Sequence, residues 1–352
     1  MRNSAKIRLI DIAQEANASV GAVGKVLNGG SAPIRVGEVT RKRIQEVAAR
    51  LGYRQNVAAS ILAGGKSNLI GVVIDAQTGY RNKRLLVALE TAASKRGLRL
   101  LTGVAHDSVA NLEQICHRLL QYGVDGLLMI SHDYPEFRNE VEEFEKTIPE
   151  AVYLEKPYCG SSKYVETSRV NALKEMVADV VCRGEKRIAL IHGKLDSISE
   201  KTLLAEYKSA LAANGVTFDP ALVKGDFCLA DEGIERIRKV AFELMEKSYP
   251  DVLFADNAEY AVAIQSFLQS KGFHFPEDLE IIGGNGDPFF NYVTPRIHSF
   301  DPRYEMIAET LLDKLPEKAA ASTPRVIEAI YQKSSEKTPV RENLYGLQNI
   351  KN

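Results

Sequence analysis

Two sets of residues in this 352-residue chain have types and spacings that could do chemistry. The first set follows apolar runs. Asp75 comes after LIGVVI, Ser131 and His132 after DGLLMI, Phe227 after KGD, Asn257 after LFAD and Asn285 after IIGG. Carboxylates accept hydrogen bonds, amides donate and accept, and a ring offers a flat apolar face. Such groups at the ends of strands recognise a small polar molecule without transforming it. The second set lies in SVGAVGKVLN, residues 19–28. Ser19 suits an N-cap, and Val20, Val23, Val26 and Leu27 recur at helical spacing. Gly21 and Gly24 interrupt that stripe, each at about 1 kcal/mol relative to alanine. A helix that keeps two such residues invites the question of what its outer face meets.

Groups for bond-making chemistry are missing. GGKS, residues 64–67, would need a glycine at position 60 to be a phosphate loop, and Ser60 stands there with no strand before it. There is no G-x-S-x-G and no H-E-x-x-H, and the six histidines are dispersed. Cys116, Cys159, Cys182 and Cys228 form no C-x-x-C, so neither a structural zinc nor a disulfide framework is expected. The expectation is a non-enzyme with no metal and no cofactor.

The elements that must position these residues fall into three parts. Residues 1–68 carry eleven Lys/Arg against four Asp/Glu, whereas the remainder is net acidic and the whole chain sums to −1. A basic terminal module on an acidic body is the electrostatic footprint of nucleic-acid binding. Within it, IDIAQEAN and SVGAVGKVLN read as short helices across a tight turn at Asn17-Ala18-Ser19. EVTRKRIQEVAARLGY reads as a third helix ending at Gly52, and NVAASILAG as a short fourth closing at Gly64-Gly65. From residue 69, apolar strands alternate with helices in two series: LIGVVIDA, LRLLTGVA, DGLLMIS and AVYLE, then RIALIHG, ALVKGDF, DVLFAD and LEIIGG. Near-continuous apolar strands between helices predict two doubly wound parallel sheets, with ligands at the carboxyl ends of their strands. No apolar run approaches the roughly 20 residues that span a bilayer. The start, MRNSAKIRLIDIAQEA, lacks a secretory apolar region, so a cytoplasmic protein without membrane contact is expected.

IRLIDIAQEANASVGAVGKVLNG, followed by TRKRIQEVAARLGYRQNVAASILAGGKSNLIGVV, resembles the lactose-repressor (LacI) family of bacterial transcription regulators. Asp11, Ala13, Ala16, Ser19, Val23, Val26, Leu27, Asn28, Thr40, Arg41, Arg43, Leu51, Gly52, Tyr53, Asn56, Ala59, Leu62 and Gly71 fall in that family's register. The resemblance implies an α/β chain with an N-terminal all-α helix-turn-helix headpiece and two doubly wound lobes forming a periplasmic-binding-protein-like effector core. The headpiece would span 1–56 and a hinge helix with its linker 57–68. The first lobe would take 69–161 plus about 288–322, the second 162–287 plus about 323–335, and the tail 336–352. It further implies a repressor acting on double-stranded operator DNA as a homodimer, allosterically tuned by a small-molecule, carbohydrate-related effector. Val20, Gly21 and Lys25 would face base edges, with Gly21 admitting the backbone close to the groove, Val20 meeting a thymine methyl and Lys25 donating to guanine. Ser19 and Asn28 would sit by phosphates. Asn56 belongs to the matched register at the end of the headpiece, and Leu62 would wedge into the minor groove. Asp75, Phe227, Asn257 and Asn285 would bind the effector, with Phe227 stacking on a sugar ring.

The departures bear on both sites. The family's helix-opening threonine is Arg8, and the glycine after Ala16 is Asn17, a residue that tolerates a left-handed turn. The recognition-helix Thr, Ser and Arg appear as Ala22, Gly24 and Lys25, an altered base code. In the core, the sugar-holding arginine falls on Leu203, its following glycine on Glu206, and the Asp-Asn pair on Ser168-Arg169. The aspartate of A-N-D is Ala258. The tail EKTPVRENLYGLQNIKN has no sustained heptads, so no tetramer bundle is expected. The alternative reading is a cytoplasmic small-molecule sensor with a vestigial headpiece. It shares the cleft and differs in residues 1–68.

Overall fold

A computed structural model describes residues 7–28, 34–53, 66–75, 80–105, 108–193, 198–227 and 233–332. Its first unit is three short helices: α1 (Leu9–Glu15), α2 (Val20–Asn28) and α3 (Glu38–Arg50). None is long enough to persist alone in water. They are held by one small core of Ile12, Ala13, Ala16, Ala22, Val23, Ile44, Val47 and Ala48. Each buried branched side chain there contributes about 1.5–3 kcal/mol. Local chemistry sets the helix ends. The Arg8 amide donates to Asp11 Oδ2 at 2.8 Å, so the carboxylate half of a capping box survives without the threonine. Asn17 takes the left-handed turn at φ 46°. Ser19 Oγ accepts from the Ala22 amide at 3.1 Å, which makes it the N-cap of α2. Arg50 reaches Glu15 at 2.7 Å and Arg43 donates to the Asn17 carbonyl at 3.3 Å, tying α3 to the turn.

Beyond residue 66 lie two six-stranded sheets. The strands are β1 (Leu69–Asp75), β2 (Arg99–Ala105), β3 (Gly126–Met129), β4 (Val152–Leu154), β5 (Tyr164–Ser168), β6 (Ile188–Gly193), β7 (Val223–Phe227), β8 (Val252–Ala255), β9 (Glu280–Gly283), β10 (His298–Asp301), β11 (Arg325–Glu328) and β12 (Ile330–Tyr331). The first sheet runs β11-β5-β4-β3-β1-β2 and is parallel throughout; the second runs β12-β10-β9-β8-β6-β7. Only the short β12 departs from the expected parallel pairing, running antiparallel to β10. The helices are α4 (Tyr80–Lys95), α5 (Val109–Gln121), α6 (Arg138–Thr147), α7 (Val170–Cys182), α8 (Ile198–Ala213), α9 (Gly233–Lys247), α10 (Ala258–Ser270) and α11 (Tyr304–Lys314). They cover both faces of each sheet, and the strands β1, β3, β6, β8 and β9 are apolar on both sides. No described helix is long and apolar enough to cross a membrane.

The chain crosses between the sheets three times: after β5, after β10 and between β11 and β12. These points fall near residues 168, 302 and 329. The expected boundaries at 161/162, 287/288 and 322/323 therefore shift toward the carboxyl end. The cause is β5: YVETS is buried at two positions and half-buried at three, and lacks the apolar run that marks a central strand. β10 and β11 are equally short. Lys163, just before β5, is 1% exposed and donates to the carbonyls of Glu150 and Leu315 at 2.8 and 3.2 Å. It fixes the end of α11 to the first lobe, where Ile307, Ala308, Leu311 and Leu312 pack into the core. The hinge segment 57–65 and the tail lie outside the described residues.

Candidate DNA interface and interlobe cavity

On the headpiece, Ser19 and Gly21 are exposed and Val20 is 45% exposed, while the neighbouring Ala22 and Val23 turn into the core. Lys25 is half-buried at the helix flank. Asn28 closes α2; its side chain, with Asn56 and Leu62, lies outside the described residues. Gly21 has a packing role that the sequence did not reveal. A Cβ there would stand 2.9 Å from Ile34 Cδ1, so the glycine leaves room for the segment that returns to α3. At Gly24 a Cβ would rest at ordinary contact distance, 3.8 Å from Leu9 Cδ1, so packing does not demand that glycine.

Between the lobes is a cavity of about 70 Å³ at the carboxyl ends of β4, β5, β9 and β11. Its apolar lining is Leu85, Leu154, Ile307 and Ile327 with the ring of Tyr304. Its charged lining is Arg81, Glu155, Lys156, Glu166, Arg169 and Glu206. Asn285 completes it from the second lobe.

Glu155 follows β4 with a left-handed φ of 67°, a strained setting for a side-chain-bearing residue. Its carboxylate accepts from the Thr167 amide at 3.3 Å and from the Thr167 hydroxyl, and Arg81 lies 4.0 Å away. Burial still outweighs these partners and holds the carboxyl above its usual range. Arg169 precedes α7 and pairs with Asp256 beside the cavity. Glu206, on α8, is also pushed up, by burial and by the charges of Glu328, Glu155 and Glu166, with Arg169 pulling the other way.

Of the four residues expected to hold a ligand, only Asn285 lines this cavity. Asp75 ends β1, where its amide donates to Ser131 Oγ at 2.8 Å and its carboxylate accepts from the Tyr134 hydroxyl at 3.5 Å. Asn257 is the N-cap of α10, its Oδ1 accepting from the Glu259 amide at 2.8 Å. Phe227 is 3% exposed inside the second-lobe core, edge-on to Tyr260 and under the Arg236 guanidinium at 5.0 Å. It pairs with Gly193 past a shift in register, and the core takes its ring rather than the cavity. Leu203 is likewise fully buried in the second lobe. Arg169 and Glu206 were missed as site residues, although both occupy slots where the family pattern is broken. Read as losses, those breaks are gains of charge at the cavity wall.

The periplasmic binding protein-like domain profile matches residues 177–335. Catabolite control protein A of Priestia megaterium is 28% identical over 318 residues, covering 89% of this chain and 93% of that protein. Catabolite control protein A of Staphylococcus aureus is 25% identical over 91% of this chain and 96% of its own length. Among solved structures, the lac repressor dimer bound to operator and the anti-inducer ONPF superposes with a TM-score of 0.76 at 21% identity, over 93% of this chain and 98% of that one. The transcriptional regulator CelR in complex with cellobiose gives 0.63 at 21% identity with the same coverage. These structures share the fold from headpiece to second lobe. In the headpiece register carried by α1–α3 and over most of its length, the chain is similar to catabolite control protein A, and it shares the fold of the lac repressor.

Proposed function

We propose that the protein is a DNA-binding transcription regulator, a repressor acting as a homodimer, whose operator affinity is set by a small molecule held between the lobes. The observation that carries this is α2. A capped helix presents Ser19, Val20 and Gly21 outward on a three-helix unit within a basic N-terminal stretch, residues 1–68, that carries eleven Lys/Arg against four Asp/Glu. A second helix of this kind enters the major groove, and two copies read two half-sites. Lys25 supplies the base-edge donor, Ser19 and Asn28 the phosphate contacts, and residues 57–68 with Leu62 the hinge over the operator centre. Lac repressor, with the same fold, is solved as an operator-bound dimer, and CelR with cellobiose.

A ligand shifts DNA affinity only through its differential affinity for two lobe arrangements, and this cavity spans both lobes. Titration of the full chain against the DNA upstream of its own gene, across a salt series, tests the reading. Binding to one pseudo-palindrome with a steep negative dependence of log K on log salt is expected. Equal affinity for that DNA and for random duplex leaves the sensor with a vestigial headpiece as the better account.

A further inference from the structure

The charge around Glu206 in the interlobe cavity is unbalanced. The lining holds three cations, Arg81, Lys156 and Arg169, and three carboxylates, Glu155, Glu166 and Glu206. Two of those cations are engaged, Arg169 with Asp256 and Arg81 with Glu155. At Glu206 the charges of Glu328, Glu155 and Glu166 act against that of Arg169. Glu328 Oε2 is buried with no hydrogen-bond partner among the described residues. Glu155 is satisfied by Thr167. Glu206 is close to Arg169 in charge alone, with no hydrogen bond to a described residue.

Desolvated carboxylates in excess demand positive charge and donors. An anionic effector would add charge of the wrong sign. A neutral sugar would supply donors and leave the excess unanswered. The apolar lining residues suit one face of a compact ring.

Resting on the regulatory reading above, we propose that this cavity receives a small hydroxylated ligand bearing a cationic nitrogen, an amino sugar or a like amino polyol, and that Glu206 takes that nitrogen. Glu155 and Asn285 would hold hydroxyls, and Leu85, Leu154 and Ile327 the ring face.

The test is thermal unfolding and calorimetric titration of the full chain with glucosamine, galactosamine and mannosamine. Glucose, galactose, mannose and glucosamine 6-phosphate serve as comparisons at equal concentration. At least one amino sugar should raise the midpoint and bind at least about tenfold tighter than its neutral parent, a difference of about 1.4 kcal/mol. The phosphorylated form should bind more weakly still. Glu206→Gln should reduce the amino sugar to the neutral parent's affinity, and Glu206→Asp should keep the preference. The free Glu206→Gln protein should melt no lower than the wild type, because it loses an unsatisfied charge.

Three results overturn the proposal: no amino sugar shifts the midpoint, the neutral or phosphorylated sugars bind more tightly, or Glu206→Gln retains the preference. Operator titration with the same sugars separates this from the regulatory reading. Amino-sugar binding by a chain that ignores operator DNA upholds the cavity assignment and defeats the regulator.

Discussion

Arg169 and Asp256 form an ion pair at the second-lobe edge of the interlobe cavity, with 18% and 15% of their side chains exposed. Each is buried enough that losing the other is costly. Asp256→Ala should destabilise the chain by about 3 kcal/mol, because it strands a buried guanidinium. Arg169→Met combined with Asp256→Leu should recover most of that loss. Urea midpoints of the two variants check this. A double variant no better than the single would mean that the pair is solvated and weak.

On the headpiece, the two roles available to Gly21 can be separated. Ile34 Cδ1 is the far end of a flexible side chain, so a methyl at position 21 displaces it at small cost, and the helix gains propensity. Gly21→Ala should leave the unfolding midpoint nearly unchanged yet weaken cognate operator binding, because the backbone is held back from the groove. Lys25→Ala should cost roughly 1–3 kcal/mol on the cognate site and relax specificity at one base. An equal loss on random DNA would assign Lys25 to phosphate. Ser19→Ala, which removes the cap of α2, should cost about 1 kcal/mol of headpiece stability.

The protonation of Glu206 gives a further handle. Its carboxyl sits above the usual range, first through burial and then through neighbouring carboxylates. The folded chain therefore binds this proton more tightly than the unfolded chain. Ionisation opposes folding, and the penalty is relieved as pH falls through the raised value. Ligand binding runs the other way. A cationic amine needs the ionised carboxylate, so amino-sugar affinity should drop on acidification, beginning above the ordinary glutamate value of about 4.3. Titrations at stepped pH on wild type and Glu206→Gln check it, and the variant should show no such drop.

How far the sequence disclosed this molecule depends on where its signals lie. Helices of the headpiece and the central strands were legible because their apolar residues repeat at fixed spacing over contiguous runs. The strand YVETS and the edge strand RVIE were not, since each mixes polar with apolar residues and they pair with each other across a long stretch of chain. The cavity was legible as a place and not as a list. Asn285 was found because it follows an apolar strand. Arg169, Glu206 and Arg81 reach the cavity on long side chains from elements remote in sequence, which no local period encodes. Phe227 misled for the converse reason: an aromatic at a strand end suits a stacking role, but the core of the second lobe had room for its ring.

His132 and Glu145 make the sharpest pH prediction. His132 is 3% exposed and Glu145 fully buried. The imidazole Nδ1 lies 3.0 Å from Glu145 Oε1, and Nε2 lies 2.8 Å from the Leu154 carbonyl oxygen. Both partners accept, so both ring nitrogens donate, and the ring is an imidazolium. Burial pulls its pKa down, but the hydrogen bond and charge of Glu145, with the Leu154 carbonyl, raise it above the usual value. The second Glu145 oxygen accepts from the Cys159 amide at 2.8 Å, so the carboxylate is fully engaged. The folded state thus holds this proton more tightly than the unfolded state. Its stabilisation is complete below the unfolded histidine value of about 6.5 and is lost as pH rises through the folded value. His132→Gln should therefore be less stable than the wild type by about 3 kcal/mol in acid, where a buried carboxylate has lost its cation. The gap should narrow as pH climbs through the folded value. Urea unfolding across that window measures the gap directly. A difference that stays constant with pH would mean that His132 is neutral and one of its two contacts is not a hydrogen bond.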